Sequence, residues 1–234
     1  MLGIGSSLSK KSYKWKPTQV GADLKLWLRN GVGVAVTQWD DSSGNENHVR
    51  QSTGSNQGVV SDGGLDFEAN DETHYDFTSQ IAIGTREGFM IFLVCKLEST
   101  SSNQTILSLN STDHFLEFKG GADEVRIKLA GTTTRVIPGD GTQNDFSAGS
   151  KMIVSLQRKE GATGNLKVFK NGSELAQDSQ ASNDGDAEFS ALGVRNSDRF
   201  FDGVVYELLV YDTIDLTEEE INKIHDYLKL NHEI

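Results

Sequence analysis

Between Asp23 and Tyr211, apolar and polar residues alternate in short runs, and most runs end in a turn signal. Leu24, Leu26 and Leu28 alternate with Lys25, Trp27 and Arg29. A period of two marks a strand with one face in a core. Further strand-like runs cover Val32–Trp39, Gly64–Glu68, Phe89–Leu97, Gln104–Leu109, His114–Lys119 and Val125–Leu129. They continue through Thr133–Ile137, Lys151–Arg158, Leu166–Lys170, Phe189–Val194 and Val204–Tyr211. Turn signals stand at 53–56, 62–64, 120–121, 138–141 and 161–164, all glycine-bearing. Many short strands at this spacing predict an all-β sandwich or barrel. Asn171-Gly172 follows Leu166–Lys170 and predicts a two-residue hairpin turn, because both residues tolerate positive φ. Phe89–Leu97 and Val204–Tyr211 are almost unbroken apolar runs, as expected of central strands covered on both faces.

The pattern changes only at the end of the chain. Thr217 and Glu220 form a capping box, and Glu218 and Glu219 favour the positive end of a helix dipole. Ile221, Ile224, His225 and Leu228 recur at helical spacing, so one terminal helix should lie against the sandwich. On that stripe His225 reads as structural. Residues 21–234 form one predicted domain. Residues 1–20 form an arm in which Lys10, Lys11, Lys14 and Lys16 surround Tyr13 and Trp15. Its aromatic residues suit docking on its own domain or on a neighbour. The first 22 residues hold four lysines and no acid, leaving 18 of the 22 basic residues against all 34 acidic ones. The net charge of −12 argues against nucleic acid as a partner, since phosphate binding needs a positive surface. A basic arm on an acidic body is the pattern of a tail with its own partner.

Cys95 is the single cysteine, so no intrachain disulfide forms, and its apolar surroundings read as core. The N-terminal residues lack the apolar stretch of a signal peptide. No window approaches the roughly 18 apolar residues of a membrane span. The sequons at Asn103, Asn110 and Asn171 therefore read as accidental.

Catalytic patterns are lacking. Retaining glycoside hydrolysis needs two carboxyls about 5–5.5 Å apart. Glu72 and Asp76, Asp184 and Asp186, and Glu218–Glu220 have the wrong spacing or fall in loop or helix. There is no nucleophile elbow or zinc-binding His-Glu-x-x-His, and the histidines at 48, 74, 114, 225 and 232 are scattered. The chain reads as a non-enzyme. Sugar binding needs an aromatic platform and a few fixed polar groups. Trp39, His74, Tyr75, Arg199 and Phe200 are the candidates at loops or strand edges, although Trp27 and Trp39 better suit core or rim packing.

Three stretches together resemble the concanavalin A-like (laminin-G-like) superfamily, as found in environmental bacteria and their phages. The first is Leu24-Lys-Leu-Trp-Leu-Arg29 with Trp39-Asp-Asp-Ser-Ser-Gly-Asn-Glu-Asn47. The second is Leu166-Lys-Val-Phe-Lys-Asn-Gly172. The third is Phe201-Asp-Gly-Val-Val-Tyr-Glu-Leu-Leu-Val-Tyr211 leading to the helix. The resemblance implies a jelly-roll β-sandwich of two antiparallel sheets with one C-terminal α-helix and an extended N-terminal arm. It also implies a lectin-like surface protein of a bacteriophage virion, decorating head or tail in many copies after assembly in the host cytoplasm. The arm would bind other virion proteins, and the sandwich would touch host surface polysaccharide. Some members of the superfamily bind calcium at a loop rim. Here Asp40, Asp41, Asn45 and Asn47 form one oxygen-rich loop, and Asp184, Asp186 and Glu188 form another. Calcium takes six to eight oxygens, and neither loop supplies the full set; Asx-turns explain the same residues. A calcium-assisted carbohydrate-binding module and a polysaccharide-degrading glycosidase are the alternative readings.

Overall fold

The computed structural model describes residues 15–20, 23–85, 87–121, 124–130, 135–138, 146–160, 166–178, 185–212 and 216–234. Its first strands are β1 Asp23–Leu28, β2 Val34–Ala35, β3 Gln38–Trp39, β4 Val49–Arg50, β5 Val59–Ser61, β6 Gly64–Phe67, β7 Tyr75–Ile83, β8 Phe89–Leu97 and β9 Gln104–Ser108. Then come β10 Phe115–Phe118, β11 Glu124–Lys128, β12 Arg135–Pro138, β13 Lys151–Arg158, β14 Leu166–Lys170, β15 Ser173–Asp178, β16 Ala187–Leu192 and β17 Gly203–Asp212. One helix, α1, spans Glu218–His232.

The strands form two sheets in which every pairing is antiparallel. The first runs β15-β14-β13-β8-β17-β6-β5, and β1 also pairs with β17. The second runs β12-β11-β10-β9-β16-β7-β4-β3-β2. The chain is therefore a β-sandwich with one C-terminal helix, as its alternation predicts.

Alternation within β8 and β17 explains how both faces of the first sheet are buried. Ile91, Leu93, Cys95, Val205, Leu208 and Val210 face the second sheet across the core. Met90, Phe92, Val94, Val204, Leu209 and Tyr211 face outward, into a second cluster with Ile221, Ile224, Tyr227 and Leu228 of α1. Each such side chain contributes about 1.5–3 kcal/mol on burial. The helix thus covers the outer face of this sheet. Register slips between Val205 and Glu207, placing Glu207 beneath the helix. There Glu207 Oε1 accepts from Trp27 Nε1 at 2.6 Å, and its Oε2 lies 2.7 Å from His232 Nε2. His225 Nε2 lies 3.0 Å from Ser155 Oγ. Burial holds His225 well below the usual imidazole value, to about 4, helped by Lys229.

The capping box is present, with Thr217 accepting from the Glu220 backbone and Glu220 reaching back. Asn171 and Gly172 adopt φ values of 50° and 83°, the positive pair that the hairpin turn requires. A Cβ at Gly203 would strike the Lys96 carbonyl, so only glycine fits where β17 leaves β8.

Three features differ from the sequence reading. The run 32–39 is not one strand but a tight hairpin, in which the two-residue turn Val36-Thr37 folds β3 back onto β2. β5 pairs with β6, although its Val59 and Val60 remain exposed. β7 is a nine-residue strand whose polar centre, Thr78-Ser-Gln80, hid it. That centre lies beside a register shift between Phe189 and Ala191 of β16, where strict alternation fails.

At the start of the described chain, Trp15 packs edge-on to Tyr227 with centroids 6.1 Å apart. Tyr211 donates to the Pro17 carbonyl at 3.1 Å. This end of the arm docks on its own domain, against the helix. Lys16 is exposed. Lys10, Lys11, Tyr13 and Lys14 lie outside the described residues, as do positions 139–141 and 161–164 of the turn signals.

Candidate functional site

The two sheets are dressed differently. Among the described residues, no helix lies over the outer face of the second sheet. Pairing decides what that face carries. Leu116 and Phe118 of β10 enter the core together with their β11 partners Ile127 and Val125. Phe115 and Glu117 must then point outward, opposite Lys128 and Arg126. Towards the β2 edge the same face continues through Asp76 and its partner Arg50.

Glu117 is the centre of this face, 1% exposed despite its charge. Across the β9 pairing, Thr105 Oγ1 donates to its Oε2 at 3.3 Å. Arg126 Nη1 lies 2.9 Å from Oε1, but out of line for a hydrogen bond, so Oε1 accepts none. Arg195 Nη2 lies 3.5 Å from Oε2. Arg195 comes from the turn after β16, where Asn196 and Ser197 both take a φ of 54°. That turn closes with the backbone N–H of Arg199 donating to the Arg195 carbonyl at 3.2 Å. Ser197 N–H donates to Asn110 Oδ1 at 3.2 Å, tying the turn to the neighbouring loop.

The Arg195 guanidinium lies 4.0 Å from the centroid of Phe115, and that of Arg126 lies 5.9 Å from it. Stacking of this kind contributes about 1–2 kcal/mol when desolvated. Burial pushes Glu117 above the usual carboxylate range, against the pull of Arg195, Arg126 and Arg199. Burial likewise lowers Arg195, which Glu117 supports and the other two arginines oppose. Chemically, this is an arginine-rich cluster on the outer face of the second sheet, in which Phe115 and Glu117 are buried beneath the guanidinium groups.

The expected sugar-binding residues divide. Trp39 and Tyr75 are corrected by burial, since both are fully buried. Trp39 Nε1 donates to the Arg29 carbonyl at 3.1 Å, and Tyr75 donates to the Val36 carbonyl at 2.8 Å. Neither ring can offer a stacking surface, because alternation in β3 and β7 turns both inward. His74 and Phe200 do meet, with centroids 6.0 Å apart. Arg199 precedes Phe200, and its charge helps to lower the Glu117 carboxyl. Arg195, Arg126, Glu117 and Phe115 were missed. Alternation in β10 could have marked Glu117 as outward, but no local signal brings in Arg195 from 78 positions away.

The expected calcium loop is also corrected. Asp41 Oδ1 accepts from Trp27 N at 2.9 Å and Ser43 N at 2.8 Å. Its Oδ2 accepts from Ser43 Oγ at 2.7 Å and Asn47 N at 3.1 Å. Four donors saturate the carboxylate. The side-chain amides of Asn45 and Asn47 donate to the Lys25 carbonyl at 3.3 and 2.9 Å. Asp40 accepts from Gln38 Nε2. The loop is an Asx-type brace that locks β1, and its oxygens do not converge on an ion. In the second acidic loop, Glu188 lies 3.8 Å from His114, and Asp184 lies outside the described residues.

The structure instead gathers Asp66, Glu68 and Glu98, whose nearest oxygens lie within 4.8 Å of one another. Burial raises Asp66 and Glu68, and neighbouring carboxylates add to it. Lys96 pairs with Glu98. Three carboxylates fall short of the oxygens that calcium takes.

No family model matches this chain, and no curated protein does. Solved structures share its fold. The binding domain of Paraclostridial Mosquitocidal Protein 1 is similar with a TM-score of 0.63 at 15% identity, over 91% of this chain and 53% of that one. The receptor-binding domain of botulinum neurotoxin type G follows with a TM-score of 0.60 at 12% identity, over 88% and 52%. This chain spans about half the length of those toxin domains. Domain 4 of a GH43 extracellular arabinanase from Geobacillus stearothermophilus, in complex with arabinotriose, has a TM-score of 0.53 at 16% identity, over 87% of this chain and 98% of that one. The shared property is the sandwich architecture.

Proposed function

We propose that this chain is a non-catalytic, lectin-like module that binds glycans on the open face of its second sheet. The observation that carries this reading is the contrast between the two outer faces. One is sealed by α1, while the other is left polar around Phe115, Glu117 and Arg126. Guanidinium groups fixed over a buried ring, with no helix across them among the described residues, supply the few fixed polar groups that saccharide recognition needs. The fold likeness to a domain in complex with arabinotriose supports it. The binding domain of a botulinum neurotoxin DC in complex with SialylT supports it too, with a TM-score of 0.55 at 14% identity. A glycan array probed with and without chelator tests the reading. Binding in both conditions is expected, and a blank array in both removes it.

The finer reading places the module on a bacteriophage particle, present in many copies, with host polysaccharide as the target. The three-part sequence resemblance and the basic arm support it. Since Trp15 is held by the chain's own helix, attachment to other virion proteins would use Lys10, Lys11, Tyr13 and Lys14. Co-purification with assembled particles is expected, and deletion of residues 1–14 should abolish it.

A second reading, sugar hydrolysis, draws on the Asp66, Glu68 and Glu98 cluster, where raised carboxyls lie close together. Release of reducing ends that Asp66→Asn abolishes would favour it over the binding module.

A further inference from the structure

Resting on the glycan-binding reading, we propose that the open face selects saccharides bearing an oxyanion, a carboxylate or sulfate, through Arg126, Arg195 and Arg199 around Glu117. The argument is one of supply and demand in hydrogen bonds. A guanidinium offers five N–H donors, so three supply roughly fifteen, whereas a carboxylate has about four acceptor sites. Glu117 therefore cannot occupy the arginines that converge on it. Its own bonding is incomplete, with Oε1 accepting no hydrogen bond. Arg195, only 7% exposed, keeps its Nε without a hydrogen-bond partner. A purely structural ion pair would need one arginine for one carboxylate.

The three arginines are graded in depth. The side chain of Arg195 is 9% exposed, that of Arg126 21% and that of Arg199 38%. Arg195, stacked on Phe115, forms the floor. Arg126, which also faces Phe115, reaches solvent, and Arg199, four residues on from Arg195 across the same turn, is the most exposed of the three. Among the described residues, the ion-pair partner of Arg199 is the exposed Asp198, 3.7 Å from its Nε, and exposed pairs of that kind bind weakly. Its fork is thus available to an incoming anion. Guanidinium groups match planar oxyanions with two parallel bonds, which an ammonium cannot do. The chain carries a net charge of −12, so long-range attraction does not explain anion capture here; short-range geometry must.

Calorimetry on the full chain tests this with matched probes. An oligogalacturonate is paired with its methyl ester, a sialylated oligosaccharide with its asialo form, and a sulfated oligosaccharide with its desulfated form. At least one acidic member should bind roughly tenfold or more tightly than its neutral partner, the worth of a charge-assisted hydrogen bond. Arg199→Gln and Arg126→Gln should each erase most of that preference, so that the acidic member binds no more tightly than its neutral partner. The Arg199 side chain is 38% exposed and pairs only weakly with Asp198, so Arg199→Gln should melt like the parent, and a lost preference then reports recognition. Equal affinity within all three pairs overturns the proposal and leaves glycan binding standing. Unaltered preference in both variants overturns it as well. Absence of binding to every saccharide overturns the glycan reading itself. Binding of inorganic sulfate with no preference among saccharides also overturns the claim, leaving a simple anion site.

Discussion

At the residue scale, Glu117 shows how a strand position can face away from the core and still be buried. Sequence alternation marks it as outward, yet Thr105, Arg126 and Arg195 bury it. Removing one member of a buried charge cluster leaves the others uncompensated, at about 3–5 kcal/mol. Glu117→Ala should therefore lower unfolding stability by about 3 kcal/mol in urea denaturation, and a loss below about 1 kcal/mol would mean the cluster is solvated. Trp39 makes the complementary point. It was legible as either core or rim, and burial decides for core. Trp39→Ala should cost about 3–5 kcal/mol in the same assay. Such choices are invisible to composition, because an aromatic residue next to a turn has the same local pattern whether it faces in or out.

At the element scale, α1 was the most legible part of the chain. Its cap, its acidic first turn and its apolar stripe all sit within one local window. Thr217→Ala should cost about 1 kcal/mol, read from thermal unfolding. The helix also carries a pH dependence through His225, which packs against Phe92 and Phe169 and meets Ser155 and Lys229. Its folded value is depressed to about 4 from 6.5, so the unfolded chain binds the extra proton between those values. Stability from this group is complete above pH 6.5 and is lost as pH falls towards 4, at a cost of about 3 kcal/mol. His225→Gln should flatten that segment of the stability–pH curve relative to the parent. The raised carboxyls Asp66 and Glu117 act in the opposite sense, which is why the difference between the two proteins is the informative quantity. The central strands β8 and β17, written as almost unbroken apolar runs, were equally legible. β7 was not, because its exposed centre is as polar as a loop and only pairing with β4 and β16 makes it a strand.

At the scale of the whole molecule, the fold class was readable from short-range pattern repeated many times, since each strand restates the same period. The candidate site was not. It is assembled from β9, β10, β11 and a turn after β16, elements brought together only by sheet order. Trp15 and Ile234 both pack into the cluster beneath and around the helix, on the side opposite the bare sheet. A carrier protein fused at either point should leave saccharide affinity unchanged, and calorimetry of the two fusions checks this. The molecule accordingly has a back and a front. A tether on the helix side would leave the second sheet of each module turned towards whatever surface comes near.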